Sequence, residues 1–150
     1  MTDPVFVDTN VFVYAADAGD PEKQRKASLW LSELWKSHIG RISFQVLQEF
    51  FVTVTHKKPD AREQARAQVR DLLVWRPIIT NASILERAWR IQDRYKLSFW
   101  DALIVSAAKS ADCHWLLTED LHANQSLDGV TVINPFRLDP DHLTALESSS

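Results

Sequence analysis

The sequence predicts an α/β domain with a mainly parallel central sheet and helices on both faces, a three-layer α/β/α arrangement. Three observations carry this. Val5-Phe6-Val7, His114-Trp115-Leu116-Leu117-Thr118 and Val130-Thr131-Val132-Ile133 are short apolar runs that read as strands buried on both faces. Stretches with apolar residues at helical spacing separate such runs along the whole chain, the pattern of a parallel sheet with crossovers. One stretch, 100–111, is apolar or small almost all round, which places a helix in the middle of the fold.

The elements follow in order. The first strand ends in Asp8-Thr9-Asn10, and Asn10 reads as the N-cap of a short helix from Val11 to Ala16. Gly19-Asp20-Pro21 breaks the chain, and Asp20 and Pro21 open a helix from Glu22 to His38 in which Ala27, Leu31, Leu34 and Trp35 recur in phase. Gly40 reads as its C-cap, and Arg41-Ile42-Ser43 as a second strand. A helix over Gln45–His56 collects Val46, Leu47, Phe50, Phe51 and Val54 on one face and sets Glu49 on the other, in line with Gln45 and Thr53. After Pro59-Asp60, a charged helix over Ala61–Val74 carries Arg62, Arg66 and Arg70 on one stripe. Trp75–Ile79 reads as an edge strand, because Pro77 has no N–H to give a ladder. Thr80-Asn81 caps a helix over Ala82–Lys96 with a basic row of Arg87, Arg90 and Arg94. Ser98 and Asp101 make an approximate capping box at the start of the helix Trp100–Ala111. The strand His114–Thr118 runs into Glu119-Asp120, and Asp128-Gly129 turns into the last strand. Asp139-Pro140-Asp141 opens a terminal helix to Leu146, and 147–150 read as a frayed tail.

Composition narrows the function classes. The chain has 150 residues, 45% hydrophobic and 25% charged, which fits one globular domain spanning the sequence. With three glycines and neither GxGxxG nor GxxxxGK, a glycine-rich phosphate cradle is excluded. The lone Cys113 excludes an internal disulfide and, with no signal peptide pattern and no apolar run of roughly 18 residues, points to the cytoplasm and away from a membrane. A net charge of −3 leaves any polyanion to be drawn by a local patch or by bound cations.

The chemistry lies in the acids. Asp8 and Asp120 follow buried strands, Asp101 opens a buried helix, and Glu49 sits on a helix that follows a strand. Open α/β sheets keep their ligands at the carboxyl ends of their strands. Each acid also has a plainer reading: Asp8 and Asn10 as turn caps, Asp101 as a helix cap, Glu49 as a solvated side chain. If the four converge, their mutual repulsion calls for a hard divalent cation such as Mg²⁺ or Mn²⁺. His38, His56, His114, His122 and His142 are scattered and make no zinc spacing. A carboxylate-held cation in a cleft suits phosphoryl chemistry, with Thr9, Asn10, Ser98 and Thr118 beside the acids to hold them or their waters.

At this point the chain resembles a known family. Val7-Asp8-Thr9-Asn10, Glu49 within FQVLQEFF, Leu97–Ile104 (LSFWDALI), Leu116–Leu121 (LLTEDL) and Ile133–Phe136 (INPF) resemble, in order and spacing, a PIN domain, and within that family the VapC-type toxins of type II toxin–antitoxin pairs. The resemblance implies that Asp8, Glu49, Asp101 and Asp120 bind Mg²⁺ or Mn²⁺ for RNA hydrolysis, with Thr118 in support. Glu119 competes with Asp120 for the fourth place, and the family's spacing from the threonine favours Asp120. The resemblance also implies a cognate antitoxin and a homodimer. Trp30, Trp35, Phe51 and Trp89 are apolar residues for an interface or for the core. Arg62, Arg66, Arg70, Arg87, Arg90 and Arg94, with Lys57 and Lys58, are candidates for RNA phosphates, or solvated faces balanced by Glu63, Asp71 and Asp93. Rival readings are a catalytically weak scaffold or RNA-binding module, a phosphatase with Asp8 as nucleophile, and a DNA nuclease.

Overall fold

The computed structural model describes residues 3–148. Five short strands form one sheet in the order β2 (Gly40–Arg41), β1 (Val5–Val7), β3 (Trp115–Leu117), β5 (Val130–Ile133), β4 (Ser126–Leu127). The first four are mutually parallel: Val5 sits opposite both Gly40 and Trp115, and Trp115 opposite Thr131. Only β4 runs antiparallel, at the edge. The four parallel strands therefore end on one side of the sheet, which brings the segments after Val7, Arg41, Leu117 and Ile133 together.

The helices are α1 (Thr9–Ala15), α2 (Pro21–Ser37), α3 (Phe44–Lys57), α4 (Arg62–Leu72), α5 (Ala82–Tyr95), α6 (Phe99–Ser110) and α7 (Pro140–Ser148). One group packs α1 on α2 and α3, α3 on α4, and α2 on α7; the other packs α5 on α6, which lies on β3 and β5. The α6 segment Ala102–Ala108 is buried without interruption, as its composition demands. Trp30 is fully buried, and its indole N–H donates to the carbonyls of Leu138 (2.8 Å) and Pro135 (3.2 Å), tying α2 to the C-terminal segment. Trp30 is thus core. Trp35 and Trp89 are exposed, and Phe51 is half-buried.

Several local expectations are corrected. Asp8, not Asn10, caps α1, so the helix starts two residues earlier than predicted. Gly40 does not cap α2. His38, at φ 57°, takes the left-handed position. Gly40 is a glycine because the Trp75 ring lies where a Cβ would stand, 2.5 Å from it. The expected strand Trp75–Ile79 is reduced to one parallel bridge, Ser43 with Ile78. Trp75 closes a 3-10 turn (Leu73–Trp75), and Arg76, at φ 52°, turns the chain before Pro77 can join a ladder. The two-residue strand β4 gave no sequence signal. The last helix extends to Ser148, so the frayed tail expected over 147–150 is helical in its first half, and its second half lies outside the described residues.

The end of the sheet where the strands begin is closed by apolar packing. Trp35 and Trp75 stack at 5.9 Å with a 41° tilt. Cys113 is buried there, and burial pushes its thiol up to about 12, so it stays protonated and inert at neutral pH.

Candidate active site

The opposite end of the sheet is polar. Asp8 leaves β1 and caps α1, its Oδ1 accepting the Thr9 N–H at 2.7 Å. Its Oδ2 accepts the Thr118 hydroxyl at 2.9 Å. That hydroxyl also accepts from Asn10 Nδ2 (2.9 Å) and from the Asp120 N–H (3.1 Å). One donor and two acceptors exhaust a hydroxyl, so Thr118, fully buried, is saturated. Asn10, freed from capping, bridges two strand ends. Its Nδ2 also reaches Asp120 Oδ2 (3.1 Å) and, more weakly, Asp8 Oδ2 (3.4 Å), and its Oδ1 accepts the Glu119 N–H (3.3 Å).

Asp8 is buried, and its carboxyl is pushed up to about 7. Burial is the main cause, and the charges of Asp120 and Glu49 add to it, while the Thr9 N–H and Thr118 hydroxyl hold it down. Asp101, half-buried in the first turn of α6, is raised too, by desolvation and by the charge of Asp120, against the hydrogen bond with Ser98. Ser98 caps α6 by accepting the Asp101 N–H at 3.1 Å. Glu49 is exposed on α3, where Gln45 Nε2 donates to it at 2.7 Å. The four acids therefore share one electrostatic neighbourhood, with Asp8 and Asp120 stitched together and Glu49 and Asp101 facing them from helices. Among the described residues, no three His, Cys, Asp or Glu side chains stand close enough to enclose a cation directly. The donor set fits Mg²⁺ or Mn²⁺ in kind: carboxylate oxygens, no sulfur or imidazole, and like charges that a cation would relieve. Mg²⁺ commonly keeps several waters between itself and its protein ligands.

Glu119 is committed elsewhere. Its Oε2 pairs with Lys23 Nζ at 2.8 Å, and it hydrogen-bonds the Tyr14 hydroxyl, which raises both partners' pKa. The Lys23 ammonium lies 4.4 Å from the Tyr14 ring centre and 4.9 Å from that of Phe136. Sequence reading missed this clasp, whose members lie far apart in the chain and follow no motif. The Thr9 hydroxyl is buried without a hydrogen-bond partner; Thr9 contributes its backbone N–H. Of the arginine rows, Arg62, Arg66, Arg70 and Arg90 are exposed, Arg66 pairs with Glu63, Arg87 donates to the Ser106 carbonyl, and Arg94 sits over the Tyr95 ring.

A parallel α/β sheet with acids gathered beyond its strand ends defines the class: an open α/β domain, of the kind that keeps its ligands at that edge. The chain belongs to the PIN domain family, whose model matches residues 5–125. No curated protein matches the chain. Its fold is similar to that of solved structures. One is a toxin–antitoxin complex from Klebsiella pneumoniae, at 21% identity and TM-score 0.57, covering 87% of this chain and 97% of that one. VapC20 of Mycobacterium tuberculosis, described as a sarcin–ricin loop cleaving toxin, is 22% identical at TM-score 0.58, over 75% of this chain and 86% of that one. VapBC2 of Rickettsia felis, bound to a promoter DNA fragment, is 20% identical at TM-score 0.59, over 87% and 97%.

Proposed function

We propose that this chain is a Mg²⁺- or Mn²⁺-dependent endoribonuclease, the VapC-type toxin of a toxin–antitoxin pair, acting in the cytoplasm as a homodimer with a cognate antitoxin as its partner. The observation that carries the reading is Asp8: a carboxylate whose ionisation is disfavoured first by burial and then by the charges of Asp120 and Glu49, and which the fold nevertheless fixes through Thr9, Thr118 and Asn10. Family membership and the toxins among the similar folds support it. No described helix is long and apolar enough to cross a membrane.

Asp8, Asp101, Asp120 and Glu49 would hold the cation. Once bound, it supplies a water of lowered pKa and a counter-charge for the phosphoryl oxygens. Asn10 and Thr118 hold Asp8 and Asp120 at fixed spacing, and Ser98 fixes the first turn that carries Asp101. The Lys23–Glu119 ion pair supports Asp120 over Glu119 as the fourth acid.

The test is cleavage of a mixed RNA pool, with a DNA pool beside it, by the purified chain in Mg²⁺, in Mn²⁺ and in EDTA, alongside Asp8→Asn. RNA cleavage that needs the metal and falls at least a hundredfold in Asp8→Asn is expected. A folded, partner-free chain that cuts nothing in any condition overturns the reading in favour of a non-catalytic binding module.

A further inference from the structure

We infer that a single-stranded stretch of the RNA runs from the acidic site along a neighbouring groove, its phosphates held by Lys96, His122 and Arg137. The inference rests on the proposed ribonuclease reading. The groove, about 500 Å³, has Asp120 in its wall, so it is continuous with the acids. It lies where β3 and β5 end, between the loop after Asp120, the loop closing α5 and the segment after Ile133. Lys96 is placed at its rim by the left-handed end of α5, at φ 58°.

All three basic side chains are exposed, and none enters an ion pair or side-chain hydrogen bond among the described residues. Several other cations are engaged, Lys23 with Glu119, Lys109 with Asp128, Arg66 with Glu63 and Arg87 with a carbonyl, and the exposed Arg62, Arg70 and Arg90 lie on α4 and α5, outside the groove wall. Of the two acids lining the groove, Glu119 is neutralised by Lys23, leaving Asp120 at the mouth. A cationic track that opens beside a cluster of acids matches a polyanion whose reacting phosphate sits at the acids and whose next phosphates sit beyond them. Gln125 and Asn134 add side-chain amides to the wall. The Asn134 Oδ1 already accepts the Phe136 N–H, leaving its Nδ2 to donate. Amides of this kind read the exposed edges of unpaired bases, which a duplex hides, so the occupant is single-stranded.

The experiment measures steady-state cleavage of an unstructured RNA and of a hairpin stem in Mg²⁺ across a KCl series, and binding of the same RNAs in EDTA. It compares the wild-type chain, Lys96→Gln/Arg137→Gln, and the charge-matched control Arg25→Gln/Lys36→Gln on α2. The groove variant is expected to raise KM for the unstructured RNA about tenfold with kcat within about twofold, and to weaken binding in EDTA by a similar factor. Its plot of log(kcat/KM) against log[KCl] should be shallower by about 1.4, at roughly 0.7 for each single-strand phosphate that the variant no longer neutralises. An unchanged KM and salt slope, an equal effect in the control, or a defect confined to the hairpin stem overturns the inference while leaving the nuclease intact. A wild-type chain that cleaves nothing removes the ribonuclease reading and this inference with it.

Discussion

The two ends of the same short strands are built on opposite terms. Where the strands begin, the Trp75 ring lies close against Gly40, Trp35 packs tilted on Trp75, and Cys113 is sealed with its proton. Where they end, carboxylates are gathered against their own repulsion, one of them buried. Apolar contact stabilises the first end with little directional demand. The second depends on a few hydrogen bonds of fixed geometry, which hold charged groups in an arrangement that costs stability. The fold thus concentrates its electrostatic strain at one edge and its packing at the other.

Removing the buried charge should produce the largest change. In the unfolded chain the Asp8 carboxyl ionises near 3.8, and in the fold near 7. Between those values the fold retains a proton that the unfolded chain has released, so stability is full below the lower value and declines as pH rises towards the upper one. The charging cost at pH 8 is on the order of 4 kcal/mol. Asp8→Asn should therefore melt roughly 8–16 °C above wild type at pH 8 in EDTA, and within about 2 °C of it at pH 4, by thermal denaturation. Equal melting points at both pH values would show that the charge is not strained.

Unlocking the hydrogen bonds at the same end should act in the other direction. Thr118→Val keeps the shape but leaves Asp8, Asn10 and the Asp120 N–H each short of a partner, at a cost of about 3 kcal/mol. Thr118→Ser, which keeps the hydroxyl, should recover most of the loss in a denaturant titration. A smaller effect is expected at the packed end. Gly40→Ala drives a methyl group into the Trp75 ring and should cost about 2 kcal/mol. Adding Trp75→Leu should make the alanine less destabilising than it is alone, and a double-mutant cycle measures that coupling. A Gly40→Ala chain as stable as wild type would remove the close approach from the account.

Legibility in the sequence follows the same division. The buried strands and the amphipathic helices announce themselves because apolar periodicity is local, and β1, β3, β5 and α6 fall where the pattern puts them. Asp8 and Asp120 stood out in the sequence as residues that follow strands, Asp101 as one that opens a helix and Glu49 as one on a helix after a strand. What joins them did not. Asp8 and Asn10 exchanged capping roles because either side chain can cap, and the choice was made by Thr118, 110 residues away from Asp8. Gly40 read as a helix cap because its actual constraint, the Trp75 ring, comes from a 3-10 turn whose position no period reveals. Lys23, Lys96 and Arg137 drew no attention, since a lone basic residue gains meaning only from what the fold sets beside it.

The Thr118 hydroxyl also fixes when the cleft can exist. During synthesis, α1, α2 and α3 can begin to form as soon as they clear the ribosome, because their contacts are local. Asp8 and Asn10 emerge well before their partners Thr118 and Asp120, which are made about 110 residues later, and β3 must then slot between β1 and β5 to present them. A partly translated chain therefore carries Asp8 as an ordinary solvated acid. The assembled site therefore waits for the segment that carries β3 and β5, and it appears when that segment closes the sheet.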